Sequence, residues 1–249
     1  MCYTGVILNP EKARIPWAVA YNIISHLYTN SHGFYLYSVS PDYYVRTLDL
    51  VFYKQLLLKV LNEGPRYAHL HFRLATSGLV DVNNVHGWKV GNYYVTHNGI
   101  VTSYLAQKNN NLSDTLWLIK QDKFSNYLLN EEWGKLYDYL LEKGFYGIML
   151  LVKRGFKKVV AISMVKPIKY YKIDGVTYVL NEPLRQLDIL KPDVDSFESQ
   201  YLRDGVYLIT ESEAKTLYKR KKTAFSMRLW PMDFTYYDYV CMYERFYDY

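Results

Sequence analysis

The sequence predicts one α+β domain, two sheets packed face to face with helices outside. Three observations lead there. Amphipathic helix patterns gather in the first half. Short apolar or alternating runs bounded by turn residues recur through both halves, as antiparallel strands do. No linker-like shift in composition and no internal repeat divides the 249 residues, a length that one large domain with a substantial core can carry.

Taken in order, Tyr3 to Leu8 is expected as a short buried strand, stopped by Asn9-Pro10. Pro16 opens a helix to about Tyr28, with Trp17, Ala20, Ile24 and Leu27 on one face, and His26 and His32 flank its end in capping or surface roles. Gly33 to Ser40 alternates as a strand and Pro41-Asp42 turns the chain. Leu48 to Asn62 is a second amphipathic helix, ended by Asn62-Glu63-Gly64-Pro65. Tyr67 to Leu74 is expected as a strand with His69, His71 and Arg73 at alternate positions, hence on one face. Two histidines so placed suit a metal, but no third ligand accompanies them, so no metal site is expected. Ala75-Thr76-Ser77-Gly78 is a turn of small residues that lets backbone approach a ligand.

Val90 to Thr96 is the next strand, and it runs into His97-Asn98-Gly99. That tripeptide reads either as a hairpin turn or as a donor pair, the Asn98 amide and the Gly99 N–H, aimed at a developing oxyanion. Ser113-Asp114-Thr115 has the form of a helix cap, followed by a helix through Trp117 and Ile119, and Asn130 to Lys143 forms another. Strands follow at Tyr146 to Val152, Val159 to Val165, Ile168 to Ile173 and Val176 to Leu180, the last two joined by an Asp174-Gly175 turn. Ser199 to Leu202 leads into a last strand, Gly205 to Thr210. Thr210-Glu211-Ser212-Glu213 resembles a capping box before a helix to Lys222.

Composition narrows the function classes. The chain is 50% hydrophobic and 22% charged, ordinary for a soluble globular protein. Its 28 tyrosines point to a biased genome, viral or thermophilic, and to no particular activity. The net charge of +6 is spread out except for Lys219-Arg220-Lys221-Lys222, a solvated face without a recognisable nucleic-acid module, so nucleic acid is not an expected partner. Cys2 and Cys241 make neither a disulfide framework nor a metal spacing and fit a reducing interior. With no signal-peptide pattern and no apolar run of membrane-spanning length, a cytoplasmic protein is expected, in the host cytoplasm if the source is viral.

Removing Met1 would leave Cys2 with a thiol and a free α-amine on one residue, a nucleophile and its base together. By position alone Cys2 is an ordinary cysteine near a terminus. The rest of the pattern changes that reading. Met1-Cys2, His71-Phe72-Arg73-Leu74-Ala75-Thr76-Ser77-Gly78, His97-Asn98-Gly99-Ile100 and Ser113-Asp114-Thr115, in that order, resemble the class II glutamine amidotransferase domain, an N-terminal-nucleophile hydrolase. Gly144-Phe145-Tyr146, Lys166-Pro167-Ile168, Asn181-Glu182-Pro183-Leu184 and Asp204-Gly205 fit its second half. The resemblance covers residues 2–215, followed by a basic and then aromatic extension, 216–249, expected to pack on the domain.

The resemblance implies a four-layer αββα sandwich that needs no cofactor and takes glutamine as substrate. Cys2 would attack the side-chain amide, with its own α-amine as base, and Asn98 and the Gly99 N–H would form the oxyanion hole. Arg73 would pair with the substrate α-carboxylate, Asp114 would hold the α-ammonium, and the Thr76 region would line the pocket. It also implies a separate synthase or acceptor protein to use the ammonia. The chain departs from the family pattern at Tyr3, Leu74 and Ser77, where glycine, a bulky aromatic and histidine are usual, and in a shortened stretch between Asn98 and Asp114. These departures put turnover in doubt and keep other readings open: an interaction protein that retained the fold, a hydrolase of another γ-glutamyl amide, or a bile-salt or penicillin type of N-terminal-nucleophile hydrolase.

Overall fold

A computed structural model of the chain describes residues 2–105, 111–155, 158–184 and 195–219. The chain divides into two units, Met1–Lys219 and Arg220–Tyr249, and the second lies outside the described residues together with most of the expected 216–249 extension. The elements in chain order are β1 (Tyr3–Leu8), α1 (Trp17–Thr29), β2 (Phe34–Val39), β3 (Tyr43–Thr47), α2 (Leu50–Glu63), β4 (Tyr67–Phe72), β5 (Trp88–Val90) and β6 (Tyr93–Val101). Then come α3 (Thr102–Leu105), α4 (Asp114–Ile119), α5 (Asp122–Leu129), α6 (Trp133–Glu142), β7 (Phe145–Lys153), β8 (Val159–Met164), β9 (Ile168–Ile173), β10 (Val176–Leu180), β11 (Phe197–Leu202), β12 (Gly205–Ile209) and β13 (Ala214–Tyr218).

Two antiparallel sheets result, in the orders β11-β9-β10-β1-β4-β2-β3 and β13-β12-β8-β7-β6-β5. Three apolar layers hold them. Tyr3 and Ile7 of β1 and Leu70 and Phe72 of β4 pack under α1 and α2. Val6 and Leu8 of the same β1 meet Ile148, Leu150 and Val152 of β7 between the sheets. Met149 and Leu151, on the other face of β7, pack under α4, α5 and α6 with Leu118, Phe124 and Leu140. The central strands are therefore buried on both faces, which is why they read as continuous apolar runs rather than alternating ones. The αββα order expected of the sequence is the order found. No helix among the described residues is long and apolar enough to cross a membrane.

Helix α2 shows how local chemistry sets the ends. The Asp49 carboxylate accepts the Phe52 N–H at 2.9 Å, and Gly64, at φ 67°, closes the other end by donating to the Leu61 carbonyl. Replacing Asp49 by alanine is expected to lower unfolding stability by about 1 kcal/mol in a denaturant titration.

Four sequence expectations are corrected. His97-Asn98-Gly99 is not a turn but lies inside β6, whose pairing with β7 runs from Tyr93 opposite Lys153 to Val101 opposite Phe145. Gly99 faces Gly147, so the two strands approach without side chains between them. The helix expected over 130–143 is the shorter α6, because Glu131 takes φ 54° and delays its start to Trp133; α5 ends before that break, at Leu129. The helix expected after Thr210 is β13: the Thr210 hydroxyl accepts the Ser212 and Glu213 N–H groups, closing a turn, and the open edge of β12 then captures the next residues as a strand. His26 is neither a cap nor on the surface; it is buried and stacked on Tyr3 at 4.3 Å.

Candidate active site

Cys2 precedes β1 at the centre of its sheet, beside β4. Side-chain alternation sends Tyr3 toward α1 and turns Cys2 and Thr4 the opposite way, toward the second sheet. The Tyr3 departure therefore fills the helix layer between His26 and Phe72. It is on the far face of the strand from Cys2. The Cys2 Sγ accepts the Leu74 N–H at 3.3 Å and donates to the Leu74 carbonyl at 3.4 Å. Both contacts use backbone, so the change of residue type at Leu74 leaves them intact. The Asn181 side chain pins the strand end by accepting the Thr4 N–H at 2.6 Å and donating to the Cys2 carbonyl at 3.0 Å. Sequence reasoning assigned Asn181 no role, because its partners lie at the opposite end of the chain.

Cys2 opens on a cavity of about 250 Å³ that Arg73, Thr76, Gly99 and Asp114 also line. Burial pushes the Cys2 thiol up, while the Leu74 N–H and the Arg73 guanidinium pull it down; the net shift is upward. A thiol with a raised pKa needs a base to become a thiolate.

Arg73 follows β4 and is 2% exposed. Its Nη1 and Nη2 donate to the Leu79 and Ser77 carbonyls at 2.9 and 2.7 Å, which folds the small-residue turn around it. A guanidinium carries five N–H groups, so three remain. Asp114 opens α4. Its Oδ2 accepts the Val101 N–H at 2.9 Å and its Oδ1 accepts the Thr115 N–H at 2.8 Å. Ser77 bonds Asp114 in both directions: its hydroxyl donates to Oδ1 at 3.2 Å and accepts the Asp114 N–H at 3.1 Å. A Cβ on Gly78 would lie 2.5 Å from the Leu112 carbonyl carbon and the Ser113 nitrogen. The small Ser77-Gly78 pair thus matches the shortened stretch before Asp114, which brings α4 directly against the turn.

Asn98 shares the inward face of β6 with Thr96 and is 1% exposed; its Nδ2 has no hydrogen-bond partner among the described residues. A buried amide donor without an acceptor is costly and marks a place where a ligand oxygen would be favoured. Gly99 admits no side chain, since a Cβ would sit 1.8 Å from the Tyr146 carbonyl oxygen. Gly99→Ala is expected to cost about 3 kcal/mol, the upper end of overpacking penalties, in thermal or denaturant unfolding.

Three histidines cluster here, two of them lining the cavity and the third, His71, stacked on His86. His86 was not singled out from the sequence, although it lines the cavity with His97. His97 Nδ1 meets the Thr115 hydroxyl at 2.8 Å and its Nε2 faces the Tyr146 carbonyl at 3.5 Å, while Thr115 Oγ1 also reaches Asp114 Oδ1 at 3.3 Å. His86 Nδ1 accepts the His97 N–H at 3.1 Å, and His71 Nε2–H donates to the His97 carbonyl at 3.2 Å. The His71 and His86 rings stack at 3.8 Å. Burial lowers the pKa of all three and keeps them neutral beside Arg73. His32, expected as a cap or surface residue, accepts the Ala75 N–H at 2.9 Å and braces the same turn.

No protein-family model matches the chain, and no curated sequence matches it. Solved structures do. Glutamine phosphoribosylpyrophosphate (PRPP) amidotransferase from B. subtilis, complexed with ADP and GMP, matches with a TM-score of 0.55 at 14% identity, over 86% of this chain and 48% of that one. A structure of the allosteric regulatory enzyme of purine biosynthesis matches with a TM-score of 0.55 at 16% identity, over the same shares. The chain spans about half the length of these structures. This chain has the fold of the class II glutamine amidotransferase domain, the N-terminal-nucleophile hydrolase sandwich that its motifs resemble.

Proposed function

We propose that the protein is a glutamine amidotransferase-type hydrolase that releases ammonia from glutamine through a Cys2 thioester. The observation that carries this reading is one small cavity lined by a thiol, a cation and an anion: Cys2, Arg73 and Asp114. A free amino acid presents a carboxylate and an ammonium, and this pair complements them. Once Met1 is removed, the Cys2 α-amine takes the thiol proton and Sγ attacks the side-chain amide carbon. The carbonyl oxygen becomes an oxyanion facing the Asn98 amide and the Gly99 N–H. Collapse returns the proton to the departing ammonia, and water then cleaves the thioester to glutamate. Arg73 would use its uncommitted N–H groups on the α-carboxylate, Asp114 the remaining lone pair of Oδ2 on the α-ammonium, and Thr76 the pocket wall. A separate synthase or acceptor protein would be the consumer of the ammonia.

The test is to confirm Met1 removal by intact mass, incubate the protein with glutamine, and follow glutamate. Glutamate formation that a glutamine-analogue electrophile abolishes supports the proposal. A protein lacking Met1 that forms no glutamate overturns it. One observation favours a second reading, a binding protein with an idle cysteine: both Arg73 Nη atoms and both Asp114 oxygens are already bonded internally. Calorimetric glutamine binding without turnover would select that reading. Turnover of another γ-glutamyl amide in preference to glutamine would reassign the substrate.

A further inference from the structure

The layer between the sheets is apolar around Val6, Leu8, Ile148 and Leu150, yet a line of polar groups crosses it. Thr4 on β1, Tyr35 on β2, His69 on β4 and Thr96 on β6 are each 0% exposed. Their protons can be assigned in sequence. Thr4 Oγ1 gives its proton to the Leu70 carbonyl at 3.2 Å, so it accepts from Thr96 Oγ1 at 2.8 Å. Thr96 has then spent its proton and accepts His69 Nε2–H at 2.8 Å. His69 Nδ1 is left as an acceptor, and the Tyr35 hydroxyl donates to it at 3.3 Å. Every link runs in one direction, from Tyr35 through His69 and Thr96 to Thr4, and such chains strengthen cooperatively in a low dielectric.

The chain lies one pleat repeat below the candidate site. Thr4 is two residues from Cys2 on the same face, and Thr96 is two residues from Asn98 on the same face, a separation of about 7 Å along each strand. We infer that the Tyr35-His69-Thr96-Thr4 chain is the spacer that sets the distance between the nucleophile strand and the strand bearing Asn98 and Gly99. Thr4, His69 and Thr96 are then positioning residues for the proposed glutamine hydrolysis, on which this inference rests. Apolar side chains would also fill the layer, but dispersion contacts are non-directional, whereas the 2.8 Å links on either side of Thr96 fix a length.

Thr96→Val keeps the shape and removes the hydroxyl at the centre of the chain; Thr96→Ser keeps the hydroxyl. Relative to wild type, T96V is expected to lower kcat for glutamine hydrolysis by about 10- to 100-fold with KM changed less than about twofold, as displacement of a reacting pair predicts. T96S should restore most of kcat. Crystal structures supply a readout that needs no substrate. The Cα separation of residues 4 and 96 should change in T96V, and not in T96S, by at least about 0.5 Å, the tolerance of a catalytic constellation. Folded T96V with wild-type kcat, or with an unchanged separation, overturns the inference. If T96V does not fold while T96S does, the double variant Thr4→Val/Thr96→Val, which leaves no hydroxyl at either strand, takes its place with the same criteria. If the wild type does not turn over glutamine, the functional proposal fails separately, and the separation in the variants decides the spacer.

Discussion

Cys2→Ala is expected to abolish glutamate release from glutamine, by on the order of 10⁴-fold or more, as removal of a covalent nucleophile does elsewhere. The substituted site holds no other group in its place. Cys2 is the free cysteine among the described residues, and it is the one thiol that lines the cavity. The fold should survive, because Cys2 is partly exposed and precedes the first strand, while the clamp from Asn181 grips its backbone rather than its thiol. The check pairs a coupled glutamate assay with a thermal melt. A melting temperature near that of wild type with no glutamate is the expected result. A C2A protein that retains measurable turnover would place the nucleophile elsewhere. The same logic applies to Met1: a preparation that retains it keeps the thiol but lacks the amine on the same residue, and should be inactive.

The domain is expected to lose stability steeply as the pH falls below about 6.5, the ordinary histidine value. His69, His71, His86 and His97 are all buried with their pKa lowered by desolvation, His69 to about 3. The unfolded chain binds protons at these positions near 6.5 and the folded chain does not. Stability is therefore fully present above that pH and is lost progressively as the pH falls toward the folded values. A histidine contributes about 1.4 kcal/mol per pH unit between its unfolded and folded values, so His69 alone costs about 1.4 kcal/mol by pH 5.5 and the other three act in the same direction. Urea unfolding monitored by circular dichroism at a series of pH values measures the slope. A flat stability between pH 7 and pH 5 would contradict the neutral, buried assignment. The hydrogen-bond chain through His69 gives the loss a structural site, because protonating its Nδ1 would set a second donor against the Tyr35 hydroxyl proton.

Much of the fold is legible in the sequence because its signals are local. The apolar runs of β1, β4 and β7 and the helix stop at Gly64 need no knowledge of distant residues. The errors fall where a distant partner outvotes the local signal. Asn98-Gly99 has turn chemistry, but a full-length ladder to β7 holds it extended. Thr210 to Glu213 has cap chemistry, but the free edge of β12 draws the following residues into β13.

The site divides in the same way. The order of the motifs along the chain, through their resemblance to the amidotransferase domain, nominated Cys2, Arg73, Thr76, Asn98, Gly99 and Asp114; read alone, Asp114 has the form of a helix cap and Asn98-Gly99 of a turn. The role of each departure was not displayed. Tyr3 stays clear of Cys2 because strand alternation turns it to the helix layer, and Ser77 is a bonded partner of Asp114 because α4 lies against the turn. Asn181 beside Cys2, His86 at the cavity and the Tyr35-His69-Thr96-Thr4 chain depend on which strands become neighbours across two sheets. The sequence by itself determined the pairing of two sheets with helices outside and displayed the motifs that carry the resemblance, because burial pattern and residue type are written locally. Only the tertiary structure decided how those groups are held, because hydrogen bonds act over about 3 Å in space, whatever the separation along the chain.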